Sequence, residues 1–270
     1  MWVYPLKKLS YLQVIILRSF ITSLLFGILL VLNLATEVDS HRIETHLSLT
    51  EIFKAIALSG FSYFGLFFYV KSLQEEKVSI AVPVSSISSF FGVLTAAVFL
   101  KEVLSFSFYV SALTLVVGVF LVDGKPLRSI RFTKGITYNL FAAFFWGVSF
   151  ALFVFPVKAV GAVAFSLILE LTVCVGSLIL FRIDMLHWSF PIYKIDNSIF
   201  LLSILGFGGV VFYNLSLTYL PISTISLLSM LTPIVSLIAA AMLFRERLTQ
   251  RQYIGIVMIF FGLVVLNLKQ

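Results

Sequence analysis

The chain has 270 residues, of which 60% are hydrophobic and only 11% charged, whereas a soluble domain carries about a quarter charged. Its mean hydropathy is +1.10, and a soluble sphere of this size has too much surface to hide so many apolar side chains. The net charge of +7 is spread over short segments between apolar runs, where it orients a chain in a bilayer and does not build a nucleic-acid interface.

An apolar helix needs about 20 residues to cross the hydrocarbon. Nine stretches reach or approach that length: 11–34, 52–70, 78–100, 103–122, 135–157, 159–181, 198–220, 221–244 and 252–268. Lys7 and Lys8 ahead of the first run imitate a signal peptide. The run is longer than an h-region of about 7–15 residues, and no clean small-residue cleavage site follows, so it reads as a retained span. Strict alternation is absent, which excludes barrel strands. The backbone must therefore satisfy itself within helices.

In chain order, the first span carries Arg18 and the second opens near Lys54, which can snorkel to the surface. Tyr63 and Tyr69 follow in the second span. The third holds Pro83, Ser85, Ser86, Ser88, Ser89 and Thr95, and the eighth holds Ser223, Thr224, Ser226, Ser229, Thr232 and Pro233. Hydroxyls beside a proline mark close helix packing or the lining of a site where backbone bonding is broken. Trp146 lies in the fifth span, Glu170 and the single Cys174 in the sixth, and Tyr213 and Asn214 in the seventh. Tyrosine and tryptophan serve first as interface anchors, or else stack against a ligand. Gly206, Gly208 and Gly209 give the seventh span a face for close packing or flexing.

Arg18 and Glu170 are the charges set deepest in apolar runs. Such residues by default mark an ion or substrate pathway: here a proton-linked carboxylate and an anion or partner site. The structural alternative is an ion pair that only holds helices together, or a protonated glutamate bonded to a neighbouring helix. His41, His46 and His187 fall between spans without metal-ligand spacing, and no nucleophile elbow or phosphate loop is present. No cofactor is expected, and one cysteine cannot make an intrachain disulfide.

The chain repeats itself. Without a gap, residues 58–122 match 202–266: Gly65 with Gly209, Phe68-Tyr69 with Phe212-Tyr213, Ser85 with Ser229, Glu102 with Glu246, Tyr109 with Tyr253, Gly118 with Gly262. With a small gap, Trp2-Val-Tyr-Pro-Leu-Lys7 resembles Phe153-Val-Phe-Pro-Val-Lys158, and Ile15-Ile-Leu-Arg18 resembles Leu167-Ile-Leu-Glu170. The repeat pairs Arg18 with Glu170. A copy with an odd number of helices inverts its partner in the membrane, the pattern of secondary transporters whose site lies at the repeat interface.

The segments Val98-Phe-Leu-Lys-Glu-Val-Leu104 and Met242-Leu-Phe-Arg-Glu-Arg-Leu248 resemble the L-x-E-x-L turn of the EamA-type branch of the drug/metabolite transporter superfamily. Gly118-Val-Phe-Leu-Val, Gly262-Leu-Val-Val-Leu, Trp146-Gly147, Leu231-Thr-Pro233 and Arg18 early in a helix are similar to it too. Each glutamate of the turns is expected to open the helix that follows it, at the positive end of the dipole. The resemblance implies an all-α polytopic membrane protein of two inverted repeats of about five helices, here 1–123 and 135–268. It also implies export or exchange of small metabolites across the cell membrane. Its partners are then the lipid bilayer and a small-molecule substrate, with no nucleic acid. The substrate-binding candidates are Arg18, Tyr63, Ser85, Ser89, Trp146, Glu170, Tyr213, Asn214, Ser229 and Thr232. The competing readings are a non-transporting helix bundle acting as partner or sensor, and a membrane-embedded enzyme.

One departure concerns the first helix. The stretch from Lys134 to Phe153 has no counterpart before Trp2, so nine full helices are expected, with Met1 to Lys8 a stub. A start upstream of Met1 explains this more economically than a shortened protein. Basic residues, concentrated at Lys125–Lys134 and Arg245–Arg251, put Gln270 outside by the positive-inside rule, whereas the resemblance puts it in the cytoplasm.

Overall fold

The computed structural model describes residues 2–36, 48–75, 81, 84, 85, 87–102, 104–122, 133–184, 197–231, 235 and 249–267. The elements among them are helical: α1 (Val3–Leu6), α2 (Tyr11–Thr36), α3 (Leu49–Glu75), α4 (Ser88–Phe99), α5 (Phe106–Val122), α6 (Lys134–Leu152), α7 (Val154–Val160), α8 (Ala162–Asp184), α9 (Asn197–Tyr219), α10 (Ile222–Leu228, continued by a 3-10 turn Ser229–Leu231) and α11 (Gln250–Asn267). Every one of the nine expected spans contains a described helix. Five helical stretches have the length and hydropathy to cross a bilayer: Tyr11–Leu32, Leu49–Glu75, Lys134–Val160, Ala162–Ile183 and Asn197–Tyr219. Ser88–Phe99 and Tyr253–Gly262 are shorter apolar helices. Residues 78–80, 82, 83 and 86 of the third expected span, half of the eighth, with Thr232 and Pro233, and also Glu246 lie outside the described residues.

Local chemistry explains where helices stop. The fifth expected span breaks at Phe153, between α6 and α7. Pro156, with no N–H, cannot bond back to the carbonyl of Leu152. The next boundary falls at Gly161, with φ of +86°, a left-handed conformation that glycine adopts without a Cβ clash. Lys101 also has a positive φ, 54°. It ends α4, and the N–H of Glu102 then bonds to the carbonyl of Ala96. The two hexapeptides matched by the repeat both form short helices, α1 and α7, each followed by a long helix bearing Arg18 or Glu170.

Two compact units result. The first comprises residues 1–71 and 152–220, the second residues 72–151 and 221–270, so each draws on both halves of the sequence. In the first unit α2 packs against α8 and α9. Leu12 and Ile16 cluster with Cys174 and Phe181, while Arg18 meets Glu170; α2 and α8 thus run in opposite directions. Val14 and Leu17 cluster with Ile199 and Leu202, and Phe26 meets Phe207 at 4.6 Å; α2 and α9 thus run in the same direction. The helix α2 is built inside out, turning Phe20, Leu24, Ile28 and Val31 outward and burying Arg18, Ser19, Thr22 and Ser23. That is the arrangement for lipid, where apolar surface faces the acyl chains and polar groups face protein.

In the second unit α5 packs along α11, and Ser111 donates to the carbonyl of Gly262 at 2.6 Å. Here α4 meets α10 and α6. Phe91 packs edge-on to Phe144 at 5.4 Å. At Gly147 a Cβ would collide with the carbonyl of Ser88 and with Phe91, so only glycine lets α4 and α6 approach this closely.

The glutamate of the first turn motif corrects an expectation. Glu102 does not cap the helix that follows it. Its carboxylate accepts hydrogen bonds from the backbone N–H groups of Ile222 and Ser223, at 3.0 and 3.1 Å, closing the N-terminus of α10. The role is the expected one, a negative charge on orphan helix donors, but the helix belongs to the other half of the sequence.

Candidate functional site

The polar centre of the first unit is Arg18 on α2 against Glu170 on α8. Arg18 Nη1 donates to Glu170 Oε2 at 2.8 Å, and the two residues are 7% and 2% exposed. Burial this deep requires pairing, because an isolated charge in a low-dielectric interior is prohibitively costly. The surroundings are small and polar. Thr22 Oγ1 donates to the carbonyl of Arg18 at 2.7 Å, and Ser203 on α9 donates to the carbonyl of Ile199 at 2.8 Å. Ser19 donates to the carbonyl of Ile15. The guanidinium lies against α9 at Gly206, where a Cβ would sit 2.7 Å from Arg18 Nη2 and 3.0 Å from Nε. Gly208 and Gly209 have nothing within 4 Å of such an atom, so of the three glycines only Gly206 makes a close approach.

One helical turn from Glu170, about 6 Å along α8, Ser166 accepts a hydrogen bond from Asn214 Nδ2 of α9 at 2.7 Å. Asn214 is 1% exposed, and its Oδ1 is buried without a partner among the described residues. In the opposite direction along α8, the Tyr63 ring of α3 packs on Gly176. Its hydroxyl and that of Ser177 are both buried there. Tyr213 is half-buried. Lys54 is exposed and pairs with Glu51 at 2.7 Å, at the end of its helix.

The second unit gathers the hydroxyls. Ser89 of α4 and Ser229 after α10 are 2.6 Å apart, and Ser229 Oγ is 2.6 Å from the carbonyl of Ser226. Ser229 has one proton, committed to that carbonyl, so Ser89 donates to Ser229. Gly92 faces Ser226, whose Oγ would be 2.6 Å from an added Cβ. Ser85 is half-buried. Trp146 is half-buried and stacks on Phe150 at 5.8 Å. Thr232 lies outside the described residues. Asn139, unremarked in the sequence, is buried and donates to the carbonyl of Ala81 at 2.5 Å.

The expected residues therefore sort by unit. Arg18, Tyr63, Glu170, Tyr213 and Asn214 belong to the first, and Ser85, Ser89, Trp146 and Ser229 to the second. Among the described residues no three His, Cys, Asp or Glu side chains come together as metal ligands. Gly206, Ser203 and Ser166 join the site from structure. Only Gly206 had a sequence signal, as one of a glycine cluster.

Comparison with known proteins adds three findings. The model of the EamA-like transporter family matches residues 3–123 and 133–268. A protein of Archaeoglobus fulgidus described as an uncharacterized transporter is 34% identical over 87 residues, 32% of this chain and 31% of the relative. The chain thus aligns with less than a third of that relative's length. A crystal structure with no function in its description superposes with a TM-score of 0.72 at 16% identity, covering 97% of this chain and 88% of the other. That likeness establishes the fold.

Proposed function

Because the chain belongs to the EamA-like transporter family and is a multi-pass membrane protein, we propose that it is a secondary transporter, an exporter or exchanger of small metabolites or drugs in the cell membrane, working by alternating access. The observation that carries this reading is the buried Arg18–Glu170 pair on helices long and apolar enough to span. Ionisable groups at membrane depth, turned toward protein and not lipid, are expensive and serve transported ions or solutes. The sequence repeat supports it as well: we read 1–123 and 135–268 as inverted copies, the architecture in which a midplane site opens to either side in turn. Asn214 and Ser166 add neutral hydrogen-bonding groups one turn away, as a solute site requires. We read the chain as a transporter and not an enzyme, since the family whose model it matches is one of transporters and the buried pair sits on membrane-length helices.

The test is flux into and out of sealed proteoliposomes across a panel of amino acids, nucleosides and toxic amines. Saturable flux of one solute class, lost on replacing Arg18 or Glu170 in variants that remain folded, is the expected result. Absence of protein-dependent flux for the whole panel in either direction would overturn the reading.

A further inference from the structure

We propose that Arg18 is a carboxylate-binding residue whose resting partner is Glu170, so that a substrate carboxylate and Glu170 compete for one guanidinium and the displaced Glu170 takes up a proton. The proposal rests on the transport reading above and names the chemistry of its solute.

Donor accounting leads to it. A guanidinium carries five N–H donors in a planar fork. Arg18 Nη1 is committed to Glu170, but Nε is buried and has no hydrogen-bond partner among the described residues. The Nε–Nη2 edge faces α9 at Gly206. No side chain is available there, and the helical carbonyls are engaged in their own ladder. The nearby hydroxyls of Ser19, Thr22 and Ser203 direct their protons to helix carbonyls, and none of them accepts from Nε. A buried donor left unmet is destabilising. Here it lies on the edge that matches a planar two-oxygen acceptor.

Charge selects the ligand. A carboxylate at this fork replaces Glu170 like for like. If Glu170 then binds one proton, the number of charges in the unit is unchanged. A phosphate dianion leaves an excess negative charge after the same protonation. An amine is repelled by Arg18. The titratable side chains on the elements packed against α8 are Tyr11 and Arg18 of α2, Lys158 of α7, and Tyr213 and Tyr219 of α9, with Tyr63 of α3 beside Gly176. Among these only Arg18 bonds to Glu170. Cys174 lies one turn along α8 itself. The step balances simply. The Arg18–Glu170 hydrogen bond breaks, hydrogen bonds form between the fork and the solute carboxylate, and a proton from water on the open side moves to a Glu170 oxygen. Arg18 stays charged throughout. Because α9 covers the fork at Gly206, the solute gains the edge when α9 parts from α2, and the ion pair is the solute-free arrangement.

The test is calorimetric titration of the purified full-length protein with benzoate and L-leucine, with their counterparts lacking a carboxylate, benzyl alcohol and isopentylamine, and with inorganic phosphate. Two buffers of different ionisation enthalpy count the protons. The expected result is binding of a carboxylate and not of its counterpart or phosphate. One proton is taken up per ligand, and affinity falls about tenfold per pH unit as pH rises from the point where the paired Glu170 titrates to the point where the displaced Glu170 titrates, levelling off above it. Glu170→Gln is expected to bind the carboxylate about tenfold or more tightly, since the competitor is gone, with no proton uptake. Arg18→Lys binds more weakly, and Arg18→Gln not at all. Should Glu170→Gln fail to fold, the wild-type proton count and Arg18→Lys decide. No carboxylate binding, a preference for phosphate, or binding without proton uptake by the wild type overturns the proposal. Proteoliposomes that carry uridine or choline but no carboxylate would do so while leaving the transport reading intact, whereas loss of all flux would remove both.

Discussion

Arg18 and Glu170 are 152 residues apart in the chain and 2.8 Å apart in space. Removing one partner strands the other. Arg18→Leu is therefore expected to destabilise the protein by about 3–5 kcal/mol, and the double replacement Arg18→Leu with Glu170→Leu to recover most of that loss. Thermal unfolding in detergent measures both. Flux should be lost in the double variant although its stability returns, which separates the pair's function from its packing.

Gly206→Ala should act on the same pair from the other side. Its Cβ would sit 2.7 Å from Arg18 Nη2, so the guanidinium or α9 must shift, at a cost of about 1–3 kcal/mol. Gly208→Ala and Gly209→Ala meet nothing within 4 Å and should leave the unfolding midpoint unchanged or raised. Equal effects at all three positions would contradict the close approach of α9 to Arg18.

In the second unit, Gly147→Ala and Gly92→Ala make a matched comparison. At Gly147 the obstacles are the Ser88 carbonyl and Phe91 Cβ, which belong to a helix and its root atoms. At Gly92 the obstacle is Ser226 Oγ, the end of a rotatable side chain. Gly147→Ala should cost more than about 3 kcal/mol, the upper range of ordinary overpacking. Gly92→Ala should be mild, and milder still beside Ser226→Ala. The same unfolding assay gives the ranking.

Glu102→Ala removes the acceptor of two backbone N–H groups, those of Ile222 and Ser223. A loss of about 1–3 kcal/mol is expected, with Glu102→Gln retaining part of it. Hydrogen exchange should quicken at residues 222 and 223 before it does within α4, because the bond that breaks belongs to α10.

Lys101 holds a left-handed φ of 54°. Lys101→Val adds a β-branch where such residues are rarely tolerated and should destabilise by about 1–3 kcal/mol. Lys101→Gly should be tolerated. If valine proves as stable as lysine, the turn does not have this backbone conformation.

Spans and the depth of Arg18 and Glu170 were readable because lipid imposes a crude rule, apolar for about 20 residues and interrupted by charge. The repeat even matched the two residues that prove to bond. Four things are not legible in the sequence. The partner of Glu102 lies 120 residues away, whereas a sequence gives only local neighbours. Gly206 was indistinguishable from Gly208 and Gly209, because nothing in composition shows which glycine faces an arginine. Asn139 and Ser166 carried no pattern, because a single buried hydrogen bond leaves no period in the sequence. The break at Phe153 is implicit in Pro156 but hidden within an unbroken apolar run.

The partition of the chain into units that each combine an early and a late segment bears on biogenesis. When α2 enters the bilayer during synthesis, Glu170 has not yet been made. Arg18 must wait, with its charge met by lipid headgroups, water or the insertion machinery, until α8 arrives. Neither sequence half contains a finished unit. The halves expressed apart should then be prey to membrane proteases, and expressed together they should rescue one another, each supplying the helices the other lacks. Membrane insertion and folding are thus separate events for this chain, and the ion pair forms only in the second.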